Sequence, residues 1–448
     1  MSEKQKTPPA PIHKVRIGTY SFEANDEEHF DEMNQYRQKI EPWLSALCQA
    51  DHLNLLVGNG LTTAIAQKID VSSVDMSIQK PECQYAESVW MAATNSAKSI
   101  GRNEPNIEDF IRSISELIQG FNIMLSDSND NEKAVKMRDE WAQILNQELQ
   151  SFIKKIIETE ERIRSGFERF DEKGQQAQRL LLSFLLSFGS RPPSRERLHI
   201  FTTNYDRLIE YGADLVGLRI MDRFVGSLEP VFRASRLGID MHYNPPGIRG
   251  EPRILEGVIR FTKLHGSIDW VNDSMPNQPY HVLQRCLPFG KISCFSEKPV
   301  NPVDRLMIYP NSAKDMETLI YPYAELFRDF ATAVCQSNTV LFTYGYGFGD
   351  DHINRVIRDM LTIPSTHLVM ISYDDADGRI SKFYNTALSE SQISLLVGPH
   401  FGDLSTLVDN YLPQPQIEQV KWKMAQLIKN RSVINNNEQA NTSETEEA

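Results

Sequence analysis

The segment LNLLVGNGLTTAIA, residues 53–66, decides the fold. Apart from Asn54 its first five residues are apolar; Gly58 and Gly60 then flank Asn59, and Thr62 and Thr63 open a stretch of helical character. A run that is apolar on both faces suits a strand covered on both sides, the kind that builds parallel sheets. Strand, glycine turn and helix together form the unit from which such sheets are wound. Glycines in the turn let a phosphate approach the backbone, and the start of the helix offers free N–H groups and a positive dipole end. Alone the pattern is weak, because a glycine pair after a strand is more often only a turn.

The unit recurs along the chain. LHIFTT (198–203), VIRFTKL (258–264), RLMIYP (305–310), TVLFTYG (339–345), HLVMIS (367–372) and ISLLVG (393–398) read as further strands, several followed by glycine or a polar turn. They predict an α/β fold, a Rossmann-like doubly wound parallel sheet formed by residues 16–80 and 191–412. Residues 81–190 interrupt the alternation, with apolar residues at helical spacing through NIEDFIRSISELI and QRLLLSFLLSF, and predict a large helical insertion. Residues 413–430 predict a C-terminal helix, either an interaction helix or a cover for the sheet. Residues 1–15 and the acidic tail 431–448 are expected to be disordered.

Composition narrows the function. The 448 residues carry 40% hydrophobic and 24% charged side chains, the balance of an ordinary globular protein, and no run reaches the roughly 20 apolar residues of a membrane helix. The N-terminus has no apolar signal segment, so the expected location is the cytoplasm. A net charge of −13 without a long basic run disfavours direct nucleic-acid binding. The five cysteines, Cys48, Cys83, Cys286, Cys294 and Cys335, include no CxxC pair, which argues against structural zinc and suits a reducing compartment.

Four more stretches place reactive side chains at strand ends. HIFTTNYDRLIE (199–210) delivers Thr203, Asn204 and Asp206, although Asn204 and Asp206 equally suit a helix cap and its first turn. FTKLHGSIDW (261–270) sets His265 before Gly266, where a lone histidine is more often structural. TYGYGFGDDHINRVIRDML (343–361) ends a strand in Gly345, Gly347 and Gly349 before Asp350 and Asp351 begin a helix, a geometry that seats a ribose or phosphate. VMISYDDAD (369–377) puts Asp374 or Asp375 just past a strand, either as an N-cap or as acceptor for both hydroxyls of an adenosine ribose.

In this order GNGLT, TTNYD, KLHGS and GYGFGDDHIN resemble the sirtuin (Sir2-type) family of NAD-consuming proteins, in its divergent bacterial branch that acts in antiphage defence. The resemblance spans most of residues 50–410 outside the insertion. It implies that Gly58, Gly60 and Thr62, with Asn59, cradle the NAD phosphates, and that Gly345 and Gly347 border the ribose and adenosine side. Thr203 and Asp374 are counted with the NAD-binding residues. By the same resemblance Asn204 lies at the nicotinamide ribose, Asp206 holds the carboxamide and His265 is the catalytic base. The family's paired CxxC zinc ribbon and its Pro-Asp-Phe-Arg loop are missing, and glycine stands at 347 where serine is frequent.

The implied activity is therefore NAD hydrolysis to ADP-ribose and nicotinamide, gated and serving abortive infection by NAD depletion. NAD is expected as the substrate, with no zinc or other metal. The alternatives are a non-hydrolytic NAD or ADP-ribose sensor and a protein deacylase or ADP-ribosyltransferase. The resemblance also implies a homo-oligomer, in the form of a large ring, and a hexameric HerA-type ATPase as partner.

Overall fold

The computed structural model describes residues 13–414 apart from 25–32, 74–77, 103, 127–131, 170, 193, 235–239, 244–252, 273–281, 285, 292–304, 308–320 and 388. Nine strands form the main sheet: β1 His13–Ile17, β2 Tyr20–Ala24, β3 His52–Val57, β4 His199–Thr202, β5 Arg219–Met221, β6 Val258–Lys263, β7 Thr339–Tyr344, β8 His367–Ser372 and β9 Ile393–Val397. They lie in the order β2-β1-β9-β8-β7-β3-β4-β6-β5. The strands from β9 to β5 run parallel, and the β1–β2 hairpin closes one edge antiparallel.

Among the described residues, ten helices of seven residues or more accompany them: α1 Met33–Leu47, α2 Gly60–Lys68, α3 Ala86–Ser99, α4 Ile107–Ser126, α5 Glu132–Glu168, α6 Glu172–Gly189, α7 Leu208–Val216, α8 Tyr323–Val334, α9 Asp351–Met360 and α10 Arg379–Asn385. Two apolar layers sandwich the sheet, and the side-chain period of two sorts β3 between them. Leu55 and Val57 join Ile40, Leu61, Ile65, Leu180 and Phe184 on one face, while Leu56 joins Phe330, Ile353 and Ile380 on the other. Burial on both faces explains the unbroken apolar strands. The expected α/β, Rossmann-like doubly wound architecture is what the chain adopts.

Several boundaries differ from the sequence reading. Residues 13–15, expected outside the fold, belong to β1, where HKVRI alternates buried and half-buried positions and pairs with β9. A five-residue alternating strand next to charged Lys14 and Arg16 is too short to stand out from a polar terminus. The described residues of RLMIYP do not join the parallel sheet. Arg305–Met307 pairs antiparallel with Gly266–Asn272 at the edge of a second, five-stranded sheet. Residues 415–448, with most of the expected C-terminal helix and the acidic tail, lie outside the described residues, as does Cys294.

The helical stretch also divides. Phe110, Ile114, Met137 and Trp141 on α4 and α5 close a core of their own with α3. Helix α6 instead packs on the sheet, with Phe184 and Phe188 each 5.1 Å from the rings of Tyr344 and Phe342 respectively. It is the crossover helix that returns the chain to β4, so its apolar face serves the sheet.

Burial of one histidine gives a measurable pH dependence. His199 on β4 stacks on Phe201 with ring centroids 3.9 Å apart, and its Nε2 lies 2.8 Å from Thr262 Oγ1. Burial, helped by Arg260 and Arg223, lowers its pKa from 6.5 to about 3. Below pH 6.5 the unfolded chain takes up a proton that the folded chain refuses, so stability is lost as pH falls from there toward 3. At pH 5 this amounts to about 2 kcal/mol. The melting temperature of the wild type should therefore fall more steeply between pH 6.5 and 5 than that of His199→Gln; parallel curves would show His199 to be charged in the folded state.

Candidate active site

Strand register brings the motifs together. Val57 lies beside Tyr344 on one side and Thr202 on the other, Thr202 lies beside Lys263, and Tyr344 lies beside Ile371. The five strands β8, β7, β3, β4 and β6 thus end in one row. Strand β3 passes the chain to β4, while its other neighbour, β7, arrives much later, so the order reverses between β3 and β7. In open α/β sheets ligands bind outside the carboxyl ends at this switch point. A cavity of about 1020 Å³ opens there, and Gly58, Asn59, Gly60, Thr203, Gly345 and Gly347 line it. Asn204, Asp206, His265 and Asp374 line it as well.

Three of the glycines answer to one another. Gly58 donates its N–H to Tyr344 O at 3.0 Å and Gly60 to Gly345 O at 3.1 Å, so the loops after β3 and β7 cross backbone on backbone. A Cβ on Gly58 would stand 2.4 Å from Gly345 O, and one on Gly60 2.4 Å from Gly345 Cα. Gly345 itself has φ +60°, which only glycine adopts without strain. These positions are small because two loops must touch, and the contact in turn frames the cavity.

Thr62 is tied to the TTNYD turn. It is buried, and its hydroxyl donates to Asp206 Oδ2 at 2.9 Å and accepts from Asn204 Nδ2 at 3.3 Å. The side chain therefore orients the TTNYD turn. Asn204 Nδ2 also donates to Gly58 O at 3.2 Å, and Asp206 Oδ1 accepts from the Leu208 N–H at 3.0 Å. Asn204 and Asp206 both precede α7, whose N-cap is Arg207, so neither is the cap or in the first turn, and both line the cavity. Of the two acidic neighbours after β8, Asp374 lines the cavity, while Asp375 bonds Ser381 through both N–H and hydroxyl.

His265 is 3% exposed and sits in the turn between β6 and the strand Gly266–Asn272. Gly266 follows with φ +83°, and this left-handed residue lets the chain reverse immediately behind the imidazole. His265 Nε2 is 4.0 Å from Asp350 Oδ1, and its ring lies 5.6 Å from that of His352. The donor atoms of these three residues fall within 4.8 Å of one another. Two imidazoles and a carboxylate at this spacing form a group that could hold a metal ion.

Sequence reasoning missed several residues that hold this arrangement. Lys263, 2% exposed, donates to the main-chain oxygens of Asp206 and Tyr205 and pairs with Glu210 at 2.9 Å, which ties the TTNYD turn to the His265 turn. Burial pushes the Glu210 carboxyl up to about 7 despite Lys263. A lysine inside an apolar strand was the available signal, since buried charges require partners. The insertion also enters the site: Phe152 and Ile156 of α5 pack with Tyr205 and Ile268, and both line the cavity together with Glu108 and Arg102. Nothing in the local sequence announces that contact.

Residues 198–396 match the family model described as a SIR2-like domain. The match runs from the start of β4 into β9, a little under half of the chain, and contains Asn204, Asp206, His265, Gly345 and Asp374. It supports a Sir2-like relationship, and because such domains are typically NAD-utilising enzymes it indicates an NAD-related activity. No curated protein matches the chain. Among the described residues no helix is long and apolar enough to cross a membrane.

Proposed function

We propose that the protein hydrolyses NAD to ADP-ribose and nicotinamide. The observation that carries this reading is the convergence of Asn204, Asp206 and His265 with two glycine loops around one cavity at the switch point of the sheet. Breaking the nicotinamide–ribose bond needs three services: a grip on the leaving group, stabilisation of an oxocarbenium-like centre, and a positioned water. Asp206, held by Thr62, accepts hydrogen bonds from the carboxamide. Asn204 positions the ribose and the water. His265 takes the proton as water adds to the anomeric carbon and nicotinamide leaves with the bonding electron pair. The loops at 58–60 and 345–347 receive the phosphates and ribose, and Asp374 the adenosine ribose.

Unrestrained hydrolysis would empty a cell of NAD, so in this reading the activity is gated by homo-oligomeric assembly and by a HerA-type ATPase, and serves antiphage defence. One experiment addresses both parts. Purified protein is incubated with NAD, with and without such an ATPase, and nicotinamide and ADP-ribose are quantified. Equal amounts of the two products are expected. ADP-ribose or NAD retained without turnover under both conditions would identify a sensor, and release that requires an acyl-lysine peptide would identify a deacylase.

A further inference from the structure

We infer that the helical insertion completes the cavity with an anion subsite centred on Arg102, which binds the diphosphate of the nucleotide. The inference rests on the NAD reading above. Helix α3 ends in a Schellman turn: Gly101, at φ +81°, donates to Lys98 O at 3.1 Å and Arg102 N–H donates to Ala97 O at 2.8 Å. The turn throws Arg102 out of the helix and onto the cavity wall.

One side of its guanidinium is anchored. Asp109, 1% exposed at the start of α4, accepts from Arg102 Nη2 at 2.9 Å, from Ser96 Oγ at 3.0 Å and from the Asn106 N–H at 3.1 Å. Arginine has five N–H donors in a rigid fork, and this anchor uses one nitrogen. Arg102 Nε, by contrast, is buried with no acceptor among the described residues. A buried donor left in that state is costly, and an anion in the cavity would satisfy it.

A second arginine lines the same cavity. A Cβ on Gly101 would lie 3.5 Å from Arg379 Cγ, so the Schellman turn rests on the stem of Arg379. Arg379, the first residue of α10, donates from Nε to Gly347 O at 2.8 Å. Arg379 Nη1 also lies 3.7 Å from Asp377 Oδ2; two arginines lining one cavity, one of them bonded to its glycine loop, suit a ligand with two adjacent negative charges, which planar forks grip by paired hydrogen bonds. Mononucleosides offer no such group. The insertion thereby acts as part of the substrate site, and its position relative to the sheet sets affinity for the dinucleotide.

The test is calorimetric binding of ADP-ribose, with adenosine measured by displacement, to the full-length wild type, Arg102→Ala and Arg102→Lys. Arg102→Ala should weaken ADP-ribose about tenfold or more, the loss of a charge-assisted hydrogen bond. Adenosine affinity should change less than about twofold, and Arg102→Lys should restore part of the loss. Unchanged ADP-ribose affinity, or an equal loss for both ligands together with a lowered melting temperature, would make Arg102 a structural strut to Asp109 and overturn the inference. Arginine-dependent ADP-ribose binding in a protein that never releases nicotinamide would leave the subsite standing and refute only hydrolysis.

Discussion

Replacing His265 by alanine is expected to slow nicotinamide release by about 10²- to 10⁴-fold, the usual cost of removing a positioned base. Asn204→Ala should fall in the same range, because the water and ribose lose their guide. Both variants should keep ADP-ribose affinity within a few fold, since the glycine loops, Asp374 and the arginines remain. Single-turnover measurement at saturating NAD separates the two effects. Full activity in both variants would refute the assignment, whereas loss of ADP-ribose binding in step with activity would make them structural. The side chains are suited to the test: His265 is 3% and Asn204 7% exposed, so truncation leaves a small cavity and the melting temperature must be recorded alongside.

Breaking the ion pair between Glu160 and Arg207 is expected to cost about 3–5 kcal/mol of stability, because either partner alone becomes a buried uncompensated charge. Glu160 lies in α5 and Arg207 directly follows the TTNYD motif. Their side chains are 1% and 6% exposed, and Arg207 Nη2 meets Glu160 Oε2 at 2.5 Å. Glu160 Oε1 also accepts the Arg207 main-chain N–H at 2.8 Å, while Arg207 donates onward to Leu287 O. Glu160→Ala should therefore lower the unfolding free energy in urea and weaken ADP-ribose binding together, since the same carboxylate fastens the insertion to the turn that carries Asn204 and Asp206. Replacing both partners by leucine and methionine should recover much of the stability without recovering binding. A loss below about 1 kcal/mol in either single variant would show that water reaches the pair and that the insertion is not held there.

The residues that explain these expectations divide by how far their partners lie in the chain. β3, β7 and β8 were legible because a strand buried on both faces is apolar at nearly every position, and the turns after them because glycine relieves local crowding. The histidine at 265 was legible only in the company of the other motifs. The bond from Thr62 to Asp206 was not legible, since a threonine at the start of a helix reads alike whether it faces a phosphate or donates to a carboxylate far along the chain. Lys263 and Glu160 owe their roles to groups tens of positions away, and β1 is too short for its alternation to register.

The amino-acid sequence by itself determined the doubly wound sheet, the helical character of the inserted stretch and which side chains stand at strand ends. These follow from side-chain period and turn chemistry, which act within a few residues. Only the tertiary structure decided that β3 and β7 lie side by side, that Gly58, Gly60 and Gly345 are small because their backbones touch, and that the insertion walls the cavity with Phe152, Ile156 and Arg102. Those facts depend on close packing and on the pairing of buried charge, which join segments according to shape and electrostatics instead of sequence distance.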